Sequence, residues 1–332
     1  MGLRGGILFK DKTIATLRTY SWTRPIGWVL LCLFLATSSL LKAQAPQRPR
    51  ILGFSHIALF AHDYEKSRAY YGQLLGFEEP YSLHNPDGSP IMTFFKVNDH
   101  QYIELFAERA PETDRLNHIS IETDNVQGMR TYLESRGVTV PKDLHPGRIG
   151  NLSFNITDPA GHTVEIVQYM PQGKTVQAYG KFMGDTRISK RMSHVGVIVT
   201  NLDPEYKFYT QILGFTETWR GSSTGKTLSW INLKVPDGED YVEFMLSKDE
   251  PPPTQRGAQH HLCLVVPDVN ASVATLRSRP AFSKYERALD VHVGINRKRI
   301  ANFFDPDGTR TELMEPVTID GKRTPPSNAP PP

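Results

Sequence analysis

Four histidines and four glutamates recur along the chain in one order, and their residue types are those of a metal site. Each histidine precedes its glutamate by a nearly constant separation, which is 48, 47, 49 and 51 residues in the four pairs. Two imidazoles and two carboxylates in each half suit a borderline divalent ion such as Zn²⁺, Ni²⁺, Co²⁺, Mn²⁺ or Fe²⁺. The candidate metal ligands are His56, Glu104, His118, Glu165, His194, Glu243, His261 and Glu312.

Apolar residues share the strand faces of these histidines and glutamates, which distinguishes them from ordinary charged residues of a protein surface. His56 shares a strand face with Phe54 and Phe60, and Glu104 shares one with Phe106, because side chains alternate along a strand. A lone histidine on such a face is usually a hydrogen-bonded core residue. Four carboxylates at equivalent positions need a shared cation instead, since an unpartnered buried carboxylate would sooner protonate. We therefore predict one divalent-metal site in each half, with a vestigial site in one half as the alternative.

An internal repeat supplies the elements that must position these residues. A Ser-His segment and the Leu-Gly-Phe segment that follows it recur 138 residues later, and an Asp-Pro-x-Gly turn recurs after 147 residues. Loop growth costs little free energy, so the change of offset is compatible with a duplication. The matching segments are 55–58 with 193–196, 74–77 with 212–215, and 158–161 with 305–308.

Within each half the order of strand, helix and about three strands occurs twice, which predicts an α+β protein of four βαβββ units. The predicted strands are 54–60, 92–97, 102–106, 116–122, 152–156, 164–169, 192–200, 227–234, 241–246, 261–266, 300–304 and 311–315. The predicted helices are 64–75, 126–136, 204–213 and 270–278.

The first 45 residues have the features of a removable signal peptide. Basic residues precede an apolar run from Trp28 to Leu41, and the small-residue site Ala43-Gln44-Ala45 follows it. That run is shorter than the about 20 residues that span a bilayer. We expect a secreted or periplasmic protein without a stable membrane span, and an uncleaved membrane anchor is the alternative.

The rest of the chain divides into two domains by size and composition. We predict domains at 51–170 and 191–317, a linker at 171–190, and a disordered, proline-rich tail at 318–332. The leader has six basic residues and one acidic residue, so its removal changes the net charge from +3 to −2, and nothing indicates nucleic-acid binding. Cys263 is then the only cysteine, which excludes an intramolecular disulfide.

These motifs together resemble the vicinal oxygen chelate superfamily, which includes glyoxalase I, fosfomycin-resistance proteins, extradiol dioxygenases and bleomycin-binding proteins. The resemblance covers about Ile51 to Val317. It implies that two units pack into a cupped sheet around one metal, and that a small substrate chelates the ion through two vicinal oxygens. The four candidate ligands of each half would then form one site. His260 competes with His261, but the alignment of 261–264 with 118–121 favours His261.

The ligand count bears on the choice of reaction. Extradiol dioxygenases use two histidines and one carboxylate in the second pair of units, where the counterparts are His194, His261 and Glu312. Glyoxalase I uses two histidines and two glutamates, and a carboxylate at the metal moves a carbon-bound proton. The resemblance implies Glu165 and Glu312 as the catalytic bases.

The sequence therefore predicts an exported, divalent-metal-dependent enzyme with glyoxalase-I-like isomerase or lyase chemistry. A ring-cleaving Fe²⁺ dioxygenase and a non-catalytic ligand-binding protein remain the alternatives. Arg148 and the basic run 297–299 could bind an anionic substrate or be solvated loop charge.

Overall fold

A computed structural model describes residues 45–108, 110 and 112–324. The residues after Ala45 belong to one compact unit. The predicted signal peptide, except Ala45, and residues 325–332 of the predicted tail lie outside the described residues. Within the described ranges, no helix has the length and apolar character needed to cross a membrane.

The first half forms one eight-stranded sheet. The order of its strands across the sheet is β2-β3-β4-β1-β5-β8-β7-β6. The centre pairs β1 with β4 and β5 with β8 in parallel, while β1 and β5 run antiparallel. The strands are β1 (Ile51–Ala61), β2 (Glu78–His84), β3 (Pro90–Lys96), β4 (Tyr102–Ala107), β5 (Leu116–Thr123), β6 (His145–Pro146), β7 (Leu152–Thr157) and β8 (Thr163–Gln168).

The second half repeats this sheet strand for strand. Its order is β10-β11-β12-β9-β13-β16-β15-β14, with the same arrangement at the centre. Two such sheets with helices confirm the predicted α+β class. The strands are β9 (Met192–Val199), β10 (Thr216–Gly221), β11 (Trp230–Lys234), β12 (Tyr241–Leu246), β13 (His261–Val265), β14 (Asp290–Val293), β15 (Lys298–Phe304) and β16 (Arg310–Thr318).

Side-chain caps mark the start of several of the helices. Asp63 accepts a hydrogen bond from the backbone N–H of Lys66, and Asn125 does the same for Gly128. The helices are α1 (Tyr64–Ala69), α2 (Val126–Ser135), α3 (Lys174–Gln177), α4 (Leu202–Lys207) and α5 (Val269–Ser278). Two further 3₁₀ turns span Pro253–Ala258 and Pro280–Lys284.

The observed elements differ from the predicted ones at two kinds of place. The predicted helices at 64–75 and 204–213 each end in a π turn, Tyr70–Leu74 and Phe208–Ile212, in which the chain bonds five residues apart. The sequence predicted no strand at four places where the structure has one, which are β2, β6, β10 and β14. These segments carry polar residues without a clear period-two pattern.

Two reciprocal hydrogen bonds join the halves at their Asp-Pro-x-Gly turns. The Tyr71 hydroxyl donates to Asp305 at 3.0 Å, and the Tyr209 hydroxyl donates to Asp158 at 3.3 Å. Buried hydrophobic residues of both sheets belong to one continuous core. Residues 171–190, predicted as the linker, lie between β8 and β9 and include α3.

Candidate metal centres

The four central strands of each sheet carry the four candidate ligands. Across β4, β1, β5 and β8 these are Glu104, His56, His118 and Glu165, and across β12, β9, β13 and β16 they are Glu243, His194, His261 and Glu312. Neighbouring central strands thus contribute one ligand each. The structure brings together the residues that the sequence analysis grouped in each half.

In the first half the four ligand atoms face one another across a short gap. His56 Nε2 lies 2.9 Å from His118 Nε2, 3.1 Å from Glu165 Oε2 and 3.5 Å from Glu104 Oε1. His118 Nε2 is 3.8 Å from Glu165 Oε2. Ligands at about 2.0–2.2 Å from a common ion lie about 3 to 4 Å apart, depending on the angle between them at the ion. His56, His118 and Glu165 place their ligand atoms within 4.8 Å of one another, as a shared divalent ion requires. Glu104 stands outside this group, although its carboxylate lies 3.5 Å from His56 Nε2 and 3.9 Å from His118 Nε2.

A chain of hydroxyl groups determines which nitrogen of His56 faces the site. Ser55 Oγ donates to Ser120 Oγ at 2.7 Å, and Ser120 Oγ donates to Glu165 Oε2 at 2.8 Å. Ser55 Oγ must therefore accept the bond from His56 Nδ1, which lies 3.2 Å away. This bond puts the proton on Nδ1 and leaves the lone pair of Nε2 for a cation.

The charges of the first site favour a cation. Burial opposes the charged form of His56, but Glu104 and Glu165 outweigh it and raise its pKa. Burial also works against the charge on Glu165, yet the hydrogen bond and charge of His56 lower the pKa of this carboxyl. Burial raises the pKa of Glu104 to about 7 and lowers that of His118 to about 4. Two carboxylates and two imidazoles in this space are best balanced by a bound divalent ion.

The first site forms the base of a cavity of about 300 Å³. Aromatic side chains, among them Tyr81, Phe94 and Phe106, cover much of its wall. Arg148 is the one arginine or lysine among the described residues that line it. This cavity has the size and mixed lining expected for a small-molecule site with one cationic contact.

The second half has the same ligand set in a looser arrangement. His194 Nε2 and His261 Nε2 are 3.2 Å apart, and Glu243 Oε2 lies 3.4 Å from His261 Nε2 and 3.9 Å from His194 Nε2. Glu312 offers an oxygen within 4.8 Å of both imidazoles. Cys263 replaces the serine that supports the last glutamate, with its sulfur 3.6 Å from Glu312 Oε1.

An arginine enters the second site. Arg310 stands two residues before Glu312 on β16 and so projects from the same face. Its Nη2 atom lies 2.9 Å from Nδ1 and 3.0 Å from Nε2 of His261. The corresponding residue on β8, two before Glu165, is Thr163. The sequence analysis did not identify Arg310, although this alignment was available.

The charges of the second site oppose a cation. Burial lowers the pKa of His194 to about 3, and burial and the Arg310 charge together hold the pKa of His261 well below its usual value. Burial raises the pKa of Glu312 to about 7 even though Arg310 opposes this shift. The imidazoles of the second site are therefore neutral in a field that already contains a positive charge.

A third cluster of polar residues lies where the halves meet. Asp158 Oδ2 is 3.0 Å from His162 Nδ1, and the buried Glu205 accepts a hydrogen bond from the Ala160 N–H at 2.9 Å. Burial and the neighbouring Asp158 raise the pKa of Glu205 to about 9. Glu205 is therefore a neutral acid at pH 7.

His260, the rival to His261, is directed elsewhere. Its Nδ1 atom lies 3.0 Å from Asp114 Oδ1, and its ring packs edge-on against His162 at 5.3 Å between centroids. His261 is the member of the pair that meets His194, as the alignment with the first half predicts.

Comparisons with known proteins agree with this architecture. The family model described as the Glyoxalase/Bleomycin resistance protein/Dioxygenase superfamily matches residues 53–166 and 191–313. A lactoylglutathione lyase of Schizosaccharomyces pombe is 24% identical over 213 residues, which are 60% of this chain and 66% of that protein. The chain thus spans slightly less than two thirds of the length of this relative.

Two solved structures share the fold at low identity. The Mn(II)-bound glyoxalase from Novosphingobium aromaticivorans has a TM-score of 0.61 and 18% identity, covering 85% of this chain and 89% of that one. An extradiol ring-cleaving dioxygenase from B. fuscum has a TM-score of 0.62 and 16% identity, covering 86% and 77%. Both kinds of enzyme therefore use the arrangement of sheets seen here.

Proposed function

Because the chain belongs to the Glyoxalase/Bleomycin resistance protein/Dioxygenase superfamily, we propose that it is a divalent-metal-dependent enzyme with glyoxalase-I-like isomerase or lyase chemistry. Its active site is the first-half cluster, and its substrate is a small molecule with two vicinal oxygens. The observation that carries this proposal is the set of two imidazoles and two carboxylates at the base of the 300 Å³ cavity.

The residues of the first site have separate roles in this chemistry. A bound divalent ion would polarise a substrate carbonyl and stabilise the negative charge that develops when a neighbouring carbon loses its proton. Glu165 acts as the base that takes this proton and returns it to the adjacent carbon. Ser120 holds the Glu165 carboxylate through the 2.8 Å hydrogen bond, and Arg148 can contact an anionic group of the substrate at the cavity wall.

The ring-cleaving dioxygenase is the second candidate function, and the fold shared with the B. fuscum enzyme favours it. The resemblance to extradiol dioxygenases implies that its ligands would lie in the second pair of units, where Arg310 lies beside His261. Both halves bring two imidazoles and the last glutamate together, but the first half has Thr163 at the position of Arg310. The location of the metal therefore discriminates between the two reactions.

A substrate screen with metal-loaded protein tests the proposal. We expect the protein loaded with Mn²⁺, Ni²⁺, Co²⁺ or Zn²⁺ to convert hemithioacetals of 2-oxoaldehydes, including the glutathione adduct, with thioester formation followed by absorbance. The double variant His56→Ala/His118→Ala should lose this activity, and the matched variant His194→Ala/His261→Ala should keep it. Oxygen consumption with catechols in the Fe²⁺-loaded protein, lost only in the second variant, would establish the dioxygenase instead.

We also propose that the protein is exported. The basic stretch, the apolar run from Trp28 to Leu41 and the Ala-Gln-Ala site support removal of residues 1–45. Mass spectrometry of the native protein should find an amino terminus near Pro46 in the extracytoplasmic fraction. A chain with its leader intact in the cytosol would contradict this.

A further inference from the structure

We propose that the second half holds no catalytic metal, and that Arg310 serves there as a built-in cation in place of the ion. The inference rests on the proposed function only in taking the first half as the metal site. It departs from the expectation of two occupied sites that the repeated ligand set suggests.

A positive charge lies against the imidazole of His261 that a metal would need as a ligand. His261 Nδ1 lies 2.7 Å from the backbone oxygen of Gln259, so Nδ1 carries the proton and donates it to this carbonyl. The lone pair is then on Nε2. Arg310 Nη2 lies 2.9 Å from Nδ1 and 3.0 Å from Nε2, so the guanidinium nitrogen sits over the face of the ring. The guanidinium is always charged, so a metal ion on Nε2 would stand close to a fixed positive charge that opposes its binding.

The negative charge of the two glutamates favours the presence of the Arg310 guanidinium in the second site. Glu243 and Glu312 face the site, and Glu312 is only 6% exposed. Two carboxylates in this space without a cation would be strongly destabilising, and the charge of Arg310, which acts on Glu312, offsets part of this cost. Arg310 also lies against the sulfur of Met245 at 4.0 Å, on the strand that carries Glu243.

Lys298 is a second cationic residue near the second site that has a neutral counterpart in the first half. Lys298 is partly buried, and its charge acts on both His194 and Glu312. Lys298 stands four residues before Asn302, which pairs with Glu312. In the first half Asn155 pairs with Glu165, and the residue four positions before it is Asn151, which lines the cavity. Two cationic positions of the second site are therefore neutral in the first, as Thr163 and Asn151.

Exchange of the residues at the equivalent positions tests the inference. Mn²⁺ binding is measured by equilibrium dialysis with metal analysis and by electron paramagnetic resonance. The wild type should bind about one ion per chain, and Arg310→Thr, which copies the first half, should bind about two. The reciprocal change Thr163→Arg should remove the ion of the first site. Arg310→Lys keeps the charge and should leave the stoichiometry of the wild type.

The result that overturns the inference is a wild type that binds about two ions, one of them lost in His194→Ala/His261→Ala, with no gain in Arg310→Thr. Arg310→Gln keeps most of the side-chain length without its charge. Binding of a second Mn²⁺ ion by this variant supports the inference even if Arg310→Thr fails to fold. An unchanged count in both neutral variants counts against it. The proposed function fails separately, if His56→Ala/His118→Ala retains both the ion and the activity.

Discussion

The two halves contain the same four ligand types on the same four strands, yet their sites have opposite electrostatic character. In the first half the carboxylates raise the pKa of His56, whereas burial lowers the pKa of its counterpart His194 to about 3, with the charges of Arg310 and Lys298 acting in the same direction. Arg310, two positions before the last glutamate, contributes to this difference. A repeated ligand set is therefore insufficient to define a metal site, because the neighbours on the same strand face decide which cation it accepts.

The largest expected effect separates the two terminal glutamates. Glu165→Gln removes the proposed base and should lower kcat by about 10²–10⁴, the usual contribution of general base catalysis. Glu312→Gln removes its counterpart beside Arg310 and should leave kcat within about twofold of the wild type. Steady-state kinetics at saturating Mn²⁺ measure both. Equal losses in the two variants would show that both halves are catalytic.

Removal of metal should affect stability through the first half. A ligand present at about 100 times its Kd stabilises the folded state by about 2.7 kcal/mol, so chelation should lower the free energy of unfolding by about this amount. The variant His56→Ala/His118→Ala should no longer respond to Mn²⁺ or to chelator. Urea unfolding with and without Mn²⁺ measures the difference. An unchanged response in this variant would place the stabilising ion elsewhere.

The hydroxyl that supports Glu165 should matter more than its thiol counterpart. Ser120→Ala removes the 2.8 Å bond to Glu165 and should weaken Mn²⁺ binding by about 10- to 100-fold, the usual effect of losing such a support. Cys263→Ala removes the 3.6 Å sulfur contact with Glu312 and should leave Mn²⁺ affinity unchanged. Isothermal titration with Mn²⁺ compares the two. A similar loss in both variants would contradict the assignment of the ion to the first half.

A further effect concerns the pH dependence of stability through Glu205 at the junction of the halves, because burial and the neighbouring Asp158 raise its pKa from 4.5 to about 9. Between these values the folded state keeps a proton that the unfolded state has lost. Stability from this group is thus complete below pH 4.5 and lost as pH rises towards 9, by up to about 1.4 kcal/mol per pH unit.

Glu205→Gln removes this titration and should flatten the decline in unfolding free energy from pH 5 to pH 9. Ser67 holds the equivalent position in the first half and donates to Asp307 at 2.8 Å. Ser67→Ala should keep the wild-type pH slope, although it lowers stability at every pH. Urea unfolding at several pH values measures both, and an identical slope in wild type and Glu205→Gln would show that Glu205 is ionised.

Much of the fold could be predicted because it depends on local periodicity and repetition. His56 and Glu104 stood on apolar strand faces, and the repeat placed their counterparts in the second half, so the grouping of ligands followed from the sequence. Strands β2 and β10 were missed because their polar residues show no consistent alternation. The π turns after α1 and α4 depend on how the helix packs, which periodicity does not encode.

The difference between the sites was harder to predict from the sequence. Whether Arg310 reaches the site depends on the backbone path after the Asp-Pro-x-Gly turn, and an arginine near a turn is most often solvated. The sequence did offer a signal, because the matching position in the first half is Thr163. An arginine beside the ligands of one half and a threonine in the other half give the two sites different charges. The supporting bond from Ser120 to Glu165 spans parallel strands and could be inferred only once β5 and β8 were paired.

The reciprocal bonds from Tyr71 to Asp305 and from Tyr209 to Asp158 give the junction an approximate twofold axis within one polypeptide. A homodimer built around such an axis has identical subunits, so every substitution appears in both of its sites. Fusion removes that restriction. In a duplicated chain one half can keep the metal-binding site while the other half acquires an arginine and serves a structural role. The two sites can then differ without a second gene product.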